Sequence, residues 1–276
     1  MKSALLQLCS SDDPAENLAT LREMMAEAAS QGARFILTPE VTNCVSTSTT
    51  RQREVLQHEE DDQTLAGLRN QAAALGVWLL IGSLGIKTHD ADGRFANRSF
   101  MIDPQGQIVA RYDKIHMFDV QVSETETFRE SKNYRPGGKA VIAETDFGKV
   151  GLTICYDIRF PHLYAALTQA GARILTVPAA FSPVTGAAHW ESLLRARAIE
   201  TGCWVLAPAQ TGEHPKTRGK TRFTYGHSMV LAPWGEVVID AGTDPGIHFF
   251  DLDDSSVTEA RRRVPSLTHV RPFDGP

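Results

Sequence analysis

Short apolar runs alternate with amphipathic stretches from one end of this chain to the other, and that rhythm limits the folds open to it. The runs 3–9, 34–38, 77–82, 97–102, 107–112, 140–145, 149–154, 173–177, 203–208, 226–231, 236–240 and 247–252 read as strands. Helical stretches stand between them at 14–30, 61–75, 160–170 and 189–200. Asp12 or Asp13 offers an N-cap for the first, Gly76 a stop for the second, and Pro161 opens the third. In the fourth, Trp190, Leu193, Leu194 and Ala198 fall on one side. Two strings echo each other: GARFILTPE at 32–40 and GARILTVPA at 171–179. Each is a helix exit, a strand and a proline, which suggests an internal pseudo-repeat in one layered α/β domain over 1–276. Residues 116–139 read as loop, punctuated by RPGG at 135–138, and STSTT at 46–50 as a short polar loop.

Composition removes several classes. A hydrophobic share of 42% over 276 residues supports a sizeable core, and 22% charged is ordinary for a globular chain. The net charge of −5 gives no global field for nucleic acid or anionic lipid. No window approaches the roughly 18 apolar residues of a membrane span, and MKSALLQLCSSDDP does not read as a signal peptide. Cysteines at 9, 44, 155 and 203 form no CxxC pair and no metal-finger spacing, so free thiols in a reducing compartment are expected. No glycine-rich phosphate loop follows a strand. The expectation is a cytoplasmic protein that binds neither nucleic acid nor membrane.

Cys155 stands apart from the other thiols. It ends a buried-looking strand and precedes a helix opened by Pro161. A nucleophile at such an elbow is exposed at a sheet edge, with backbone N–H groups near the reacting atom. Cys9, Cys44 and Cys203 read as inert packed thiols. A cysteine nucleophile needs a base or a nearby cation. Glu40 follows the strand RFILT, and Lys114 follows the strand 107–112. Each alone reads as a cap or a solvated charge, but strand exits in an open α/β sheet gather at one edge.

The strings TPE (38–40), DKIHMFD (113–119) and GLTICYDIRFP (151–161), with AHWESLLRARAIE (188–200) and YGHSMVLAPWGE (225–236), resemble the nitrilase superfamily of carbon–nitrogen hydrolases. The resemblance covers nearly the whole chain. It implies a four-layer αββα sandwich, a Glu40–Lys114–Cys155 triad, no metal and no organic cofactor. Glu40 would take the thiol proton and then activate water. Enclosure is expected to raise the pKa of Glu40, and Lys114 to lower that of the thiol. Lys114 and the Tyr156 N–H would stabilise the oxyanion. Glu130 matches a fourth acidic residue that this family sets beside the triad. His116 and Asp119 are expected to support Lys114, and His227 to make a structural hydrogen bond.

The finer strings resemble the Nit branch, whose amidases act on small α-keto-glutaramyl amides. They lean towards cleavage of deaminated glutathione into 2-oxoglutarate and cysteinylglycine. The alternatives are an omega-amidase acting on 2-oxoglutaramate and another small aliphatic or carbamoyl amidase. Lys216, Arg218, Lys220, Arg222 and His214 make a basic loop suited to a substrate with carboxylates at both ends. Arg159 and Arg173 are further candidates for carboxylate recognition, although Arg159 could equally pair with Asp157. Phe181, Ser182 and Thr185 are candidate contacts in the loop after strand 173–177. The resemblance also implies a homodimer or higher homo-oligomer, joined through helices 160–170 and 189–200.

Overall fold

The computed structural model describes residues 1–122, 124 and 126–275. In chain order, β1 (Lys2–Gln7), β2 (Phe35–Leu37), β3 (Trp78–Lys87), β4 (Phe95–Ile102) and β5 (Ile108–Asp113) enter a first sheet. A second sheet takes β6 (Val141–Thr145), β7 (Gly148–Leu152), β8 (Ile174–Thr176), β9 (Trp204–Ala207), β10 (Met229–Leu231) and β11 (Val237–Asp240). The last strand, β12 (Gly246–Asp251), returns to the first sheet and pairs antiparallel with β1.

The sheets run β12-β1-β2-β3-β4-β5 and β6-β7-β8-β9-β10-β11. Within each, the second, third and fourth strands are mutually parallel and the outer pairings are antiparallel. The two echoing strings supply β2 and β8, which hold the same place in the two sheets. The pseudo-repeat is therefore a repeat of topology.

Alternation along the first sheet separates two cores. Leu5, Phe35, Leu37, Trp78 and Leu80 face the second sheet, and Phe147 sets its ring 5.0 Å from Phe35 and 5.7 Å from Trp78. Ala4, Leu6, Ile36, Leu79 and Ile81 face the other way, onto Leu21 and Met25 of α1 (Pro14–Ser30) and Leu68 of α3 (Gln63–Leu75). The short α2 (Thr49–Val55) lies between those helices in sequence. Beyond the second sheet, α4 (Pro161–Gln169) and α5 (Pro183–Thr201) contribute Leu163, Leu167, Trp190 and Leu194. The layer order is α, β, β, α. The chain ends on α6 (Asp254–Arg263) and an exposed tail.

Several boundaries differ from the sequence reading. Helix α5 begins at Pro183, six residues early, because Pro fits the first helical turn while PVTGAA carries no apolar period. Thr49 and Thr50 open α2, capped by the Ser48 side chain, which bonds the Arg51 N–H. The stretch 116–139 contains a small hairpin, Asp119–Gln121 with Thr127–Arg129; Ser123 and Thr125 lie outside the described residues. A second small hairpin, Thr211–Glu213 with Phe223–Tyr225, carries the basic loop. Strand β3 runs past its expected end at 82 to Lys87 through a bulge, because three steps along β3, from Ile81 to Leu84, face two on β4. Among the described residues no helix is long and apolar enough to cross a membrane.

Layering of this kind makes Leu37, fully buried between the sheets, far less replaceable than the exposed Val109 on edge strand β5. Leu37→Ala is expected to lower unfolding free energy by about 2–5 kcal/mol, and Val109→Ala by no more than about 0.5 kcal/mol. Denaturant titration checks this, and equal losses would contradict the layering.

Candidate active site

The turn after β2, the exit of β5 and the elbow after β7 meet at a cavity of about 780 Å³. Its wall includes Glu40, Lys114, Cys155 and Glu130. Lys114 Nζ lies 2.8 Å from Glu40 Oε1 and 2.9 Å from Glu130 Oε2. It is only 2% exposed, so its charge is compensated by carboxylates rather than water. The Asn97 amide donates to Glu40 Oε1 at 2.8 Å and to Glu130 Oε1 at 3.3 Å. The Ala180 N–H donates to Glu40 Oε2 at 2.8 Å, and the Phe118 N–H to Glu130 Oε2 at 2.7 Å.

Cys155 opens the short 3-10 turn Cys155–Arg159 with φ of 50°. That region is costly for a residue with a Cβ, by about 1–3 kcal/mol, so something must hold it there. Cys155 N–H donates to Pro178 O at 2.9 Å. Asp157, fully buried, does the rest. Its Oδ2 accepts from the Ile154 N–H at 2.9 Å and the Tyr112 hydroxyl at 2.6 Å. Its Oδ1 accepts from the His116 N–H at 3.0 Å and lies 2.7 Å from His116 Nδ1. One carboxylate thus ties the Cys155 elbow to the β5 exit that carries Lys114.

The electrostatics differ from the sequence expectation at two groups. Burial alone would raise the Glu40 pKa, but the Lys114 charge and hydrogen bond, with help from Cys155 and Ala180, hold it below the ordinary 4.5. Burial and the neighbouring Glu40 charge push the Cys155 thiol well above its ordinary 9.0, and Lys114 only partly offsets them. Lys114 is desolvated, yet Glu130 and Glu40 keep it firmly protonated. Both shifts favour a neutral Cys155 thiol beside an ionised Glu40.

Other candidates divide. Tyr156, Phe181, Ser182 and Thr185 line the cavity, with Thr185 in the first turn of α5 rather than a loop. Ser182 is the N-cap of α5, yet its hydroxyl does not cap; it is buried and has no hydrogen-bond partner among the described residues. Arg159 is not in the cavity wall. Its guanidinium stands 5.9 Å from the Tyr156 ring and 5.7 Å from the Phe181 ring and bonds His189 Nδ1 at 3.2 Å, with no bond to Asp157 found. Arg173 pairs with Asp254 and Thr258, so it anchors α6. His227 bonds Asp240 at 2.8 Å, as a structural role requires. Asp119 accepts from the Ser131 backbone and hydroxyl and does not touch Lys114, so it does not support that residue directly.

The basic loop splits as well. Lys220 and Arg222 line the cavity, joined by Arg129 from the other hairpin. Arg222 Nη2 donates to Ala180 O at 2.9 Å and its guanidinium lies 4.7 Å from the Phe128 ring centroid. Arg218 turns away to Glu54, 2.7 Å distant, and Lys216 is exposed. Asp12, 1% exposed, fixes the loop by accepting from the Thr217 N–H and hydroxyl. His214 is buried between Ser10 O and the Thr224 hydroxyl.

Sequence reasoning missed Asn97, which joins both carboxylates, and the amides of Ala180 and Phe118. Asn97 opens the run 97–102 and is followed by Arg98 and Ser99, so its polarity did not single it out, and backbone amides carry no sequence signal. For a metal, one group of three donors lies close enough among the described residues: His58, Glu60 and His89. It is outside the cavity wall, His89 already bonds Glu60 at 2.8 Å, and the two imidazoles stack 4.3 Å apart with 3° between planes.

Burial lowers the His214 pKa from 6.5 to about 4, so the fold keeps the neutral ring. The unfolded chain binds the proton more readily. Stability from this group is therefore whole above about pH 6.5 and is lost as pH falls towards 4. At about 1.4 kcal/mol per pH unit the loss is on the order of 3 kcal/mol. Melting temperatures of wild type and His214→Gln across that range check it; parallel pH dependences would contradict it.

The comparisons with known proteins agree with this geometry. A family model described as carbon-nitrogen hydrolase matches residues 2–262. The chain is 39% identical to a deaminated glutathione amidase of Yersinia enterocolitica, over 97% of this chain and 92% of that protein. It is 40% identical to the mouse protein of the same name, over 98% of this chain and 83% of the other. Its fold is similar to the Caenorhabditis elegans NitFhit protein, with a TM-score of 0.90 and 34% identity; the match covers 98% of this chain but only 65% of that longer one. The yeast protein Nit3, of branch 10 of the nitrilase superfamily, gives a TM-score of 0.82 at 28% identity, over 96% of this chain and 94% of that one. With the family model spanning nearly all of it, the chain belongs to the carbon–nitrogen hydrolase family.

Proposed function

We propose that this chain is a cysteine-dependent amidase that cleaves deaminated glutathione into 2-oxoglutarate and cysteinylglycine. The observation that carries the reading is the meeting of Glu40, Lys114 and Cys155 on one cavity, with Lys114 Nζ 2.8 Å from Glu40; the directions of the pKa shifts favour a neutral thiol and an ionised carboxylate. In that state Glu40 is already the base. It takes the thiol proton as sulfur attacks the amide carbon, and charge develops on the carbonyl oxygen. Lys114 and the Tyr156 N–H are the donors suited to that oxyanion. Collapse breaks the C–N bond, and Glu40 returns the proton to the leaving amine of cysteinylglycine. Water then attacks the thioester, loses its proton to Glu40, and releases 2-oxoglutarate as sulfur is reprotonated. Glu130 keeps Lys114 charged and oriented throughout.

The substrate reading rests on the cavity wall and on the relatives' names. A volume of about 780 Å³ suits a molecule of tripeptide size. Lys220, Arg222 and Arg129 suit its carboxylates, and the uncapping Ser182 hydroxyl is a free donor for a polar group. Arg159, outside this wall, is kept only as a more distant contact. We further propose one catalytic domain over 1–276, a cytoplasmic enzyme, and a homodimer packed through α4 and α5, where Val184 and Ile199 are more than half exposed. No metal or organic cofactor takes part in this scheme.

Cys155→Ala is expected to abolish turnover, and Glu40→Gln to reduce kcat by about 10²–10⁴-fold. Because Glu40 ionises below its ordinary 4.5, the acid limb of kcat/KM should lie below that pH. Arg222→Ala and Lys220→Ala should each raise KM for deaminated glutathione by about tenfold or more, with a smaller effect on 2-oxoglutaramate. Release of 2-oxoglutarate from both substrates, followed side by side, is the assay. A preference for 2-oxoglutaramate would replace this reading with omega-amidase, and an acid limb near neutrality would contradict the base.

A further inference from the structure

The Glu40 carboxylate sits on a strained support. Val41, the next residue, has φ of 46°, a region that β-branched side chains rarely occupy. Nothing in the Val41 side chain favours that conformation, so the surrounding backbone must impose it. The imposing element is the bulge in β3. Gly82 and Ser83 form it, where β3 gains one residue on β4.

Four hydrogen bonds dock this bulge onto residues 38–42. The Gly82 N–H donates to the Thr38 hydroxyl at 3.0 Å, and the Ser83 N–H to Pro39 O at 3.1 Å. The Thr42 N–H donates to Ser83 O at 2.9 Å, and the Val41 N–H to Ser83 Oγ at 2.8 Å. The approach is so close that a Cβ on Gly82 would lie 2.0 Å from Thr38 O and 2.4 Å from Pro39 O. Ser83 is fully buried, so no water can replace its hydroxyl at the Val41 amide. Of the four bonds, the one to Ser83 Oγ reaches the strained residue itself and is made by a side chain; outside the bulge, the Cys44 N–H donates to Val41 O at 3.0 Å.

We infer that Ser83 is a positioning residue for the general base: its hydroxyl holds the left-handed turn at Val41 and so aims the Glu40 carboxylate at Cys155. This rests on the reading of Glu40 as base. Ser83 does not line the cavity, so its influence passes through Val41 and the direction of Glu40. Its loss should lower kcat and leave substrate binding almost alone.

The test uses the full chain with deaminated glutathione. Ser83→Ala is expected to lower kcat by roughly 10–100-fold, the scale of a misplacement of about 1 Å, with KM within twofold. A glycine at 41 adopts positive φ without support, so the double variant Ser83→Ala/Val41→Gly should recover most of the loss. A purely structural role for Ser83 would not be rescued by that second change. Ser83→Cys, isosteric and a weaker acceptor, should give an intermediate kcat, and it serves if Ser83→Ala does not fold. Full activity in Ser83→Ala, a loss expressed in KM, or a double variant no better than the single would each overturn the inference. Glu40→Gln is measured beside them. If it stays active, the reading of Glu40 fails; if it is inactive while Ser83→Ala is normal, only the role of Ser83 fails.

Discussion

One buried ammonium organises the site. Lys114 has almost no water, and it keeps its charge because two carboxylates face it within 3 Å. Removing Lys114 would leave two buried carboxylates facing each other with no cation between them, an arrangement that costs several kcal/mol. The same charge holds Glu40 ionised despite its burial, and it leaves the thiol with a carboxylate to donate to. In the proposed mechanism, the base, the thiol proton and the oxyanion donor therefore all depend on one ion-pair cluster. Asn97, Ala180 and Phe118 add further donors to the two carboxylates and fix their orientation.

The fold brings these groups together through strained turns. Glu40 and Cys155 both follow inner strands of their sheets, and a residue with positive φ stands at each turn, Val41 and Cys155 itself. The buried Asp157 holds one turn, through Ile154, His116 and Tyr112. The β3 bulge holds the other. Rigid sheets beneath and buried hydrogen bonds beside are what let a short turn keep a costly conformation.

Much of this was legible in the chain. The alternation of apolar runs located the twelve sheet strands to within a few residues, except for β3, because period and turn residues act locally. The echoing strings marked equivalent strands because each needed the same buried sequence before the same proline. Glu40, Lys114 and Cys155 were visible as strand exits; Glu40 and Cys155 leave parallel inner strands of the two facing sheets, and Lys114 leaves the antiparallel edge strand β5 at the same cavity. What was not legible depended on distant partners. PVTGAA hid the start of α5, since a proline and small residues carry no period. The direction of the Glu40 shift was misjudged because burial was weighed without the Lys114 charge and hydrogen bond that face the carboxylate. Arg173 was drawn to a surface helix by Asp254, a residue 81 positions away.

The central claim is that Cys155 rests as a neutral thiol beside an ionised Glu40. An ultraviolet thiolate titration of the free enzyme, wild type against Cys155→Ala, tests it most directly. No thiolate step assignable to Cys155 is expected below its ordinary pKa of 9.0. A step near neutrality or below, present in wild type and absent from Cys155→Ala, would mean a resting thiolate, and Glu40 would not be the base that forms it.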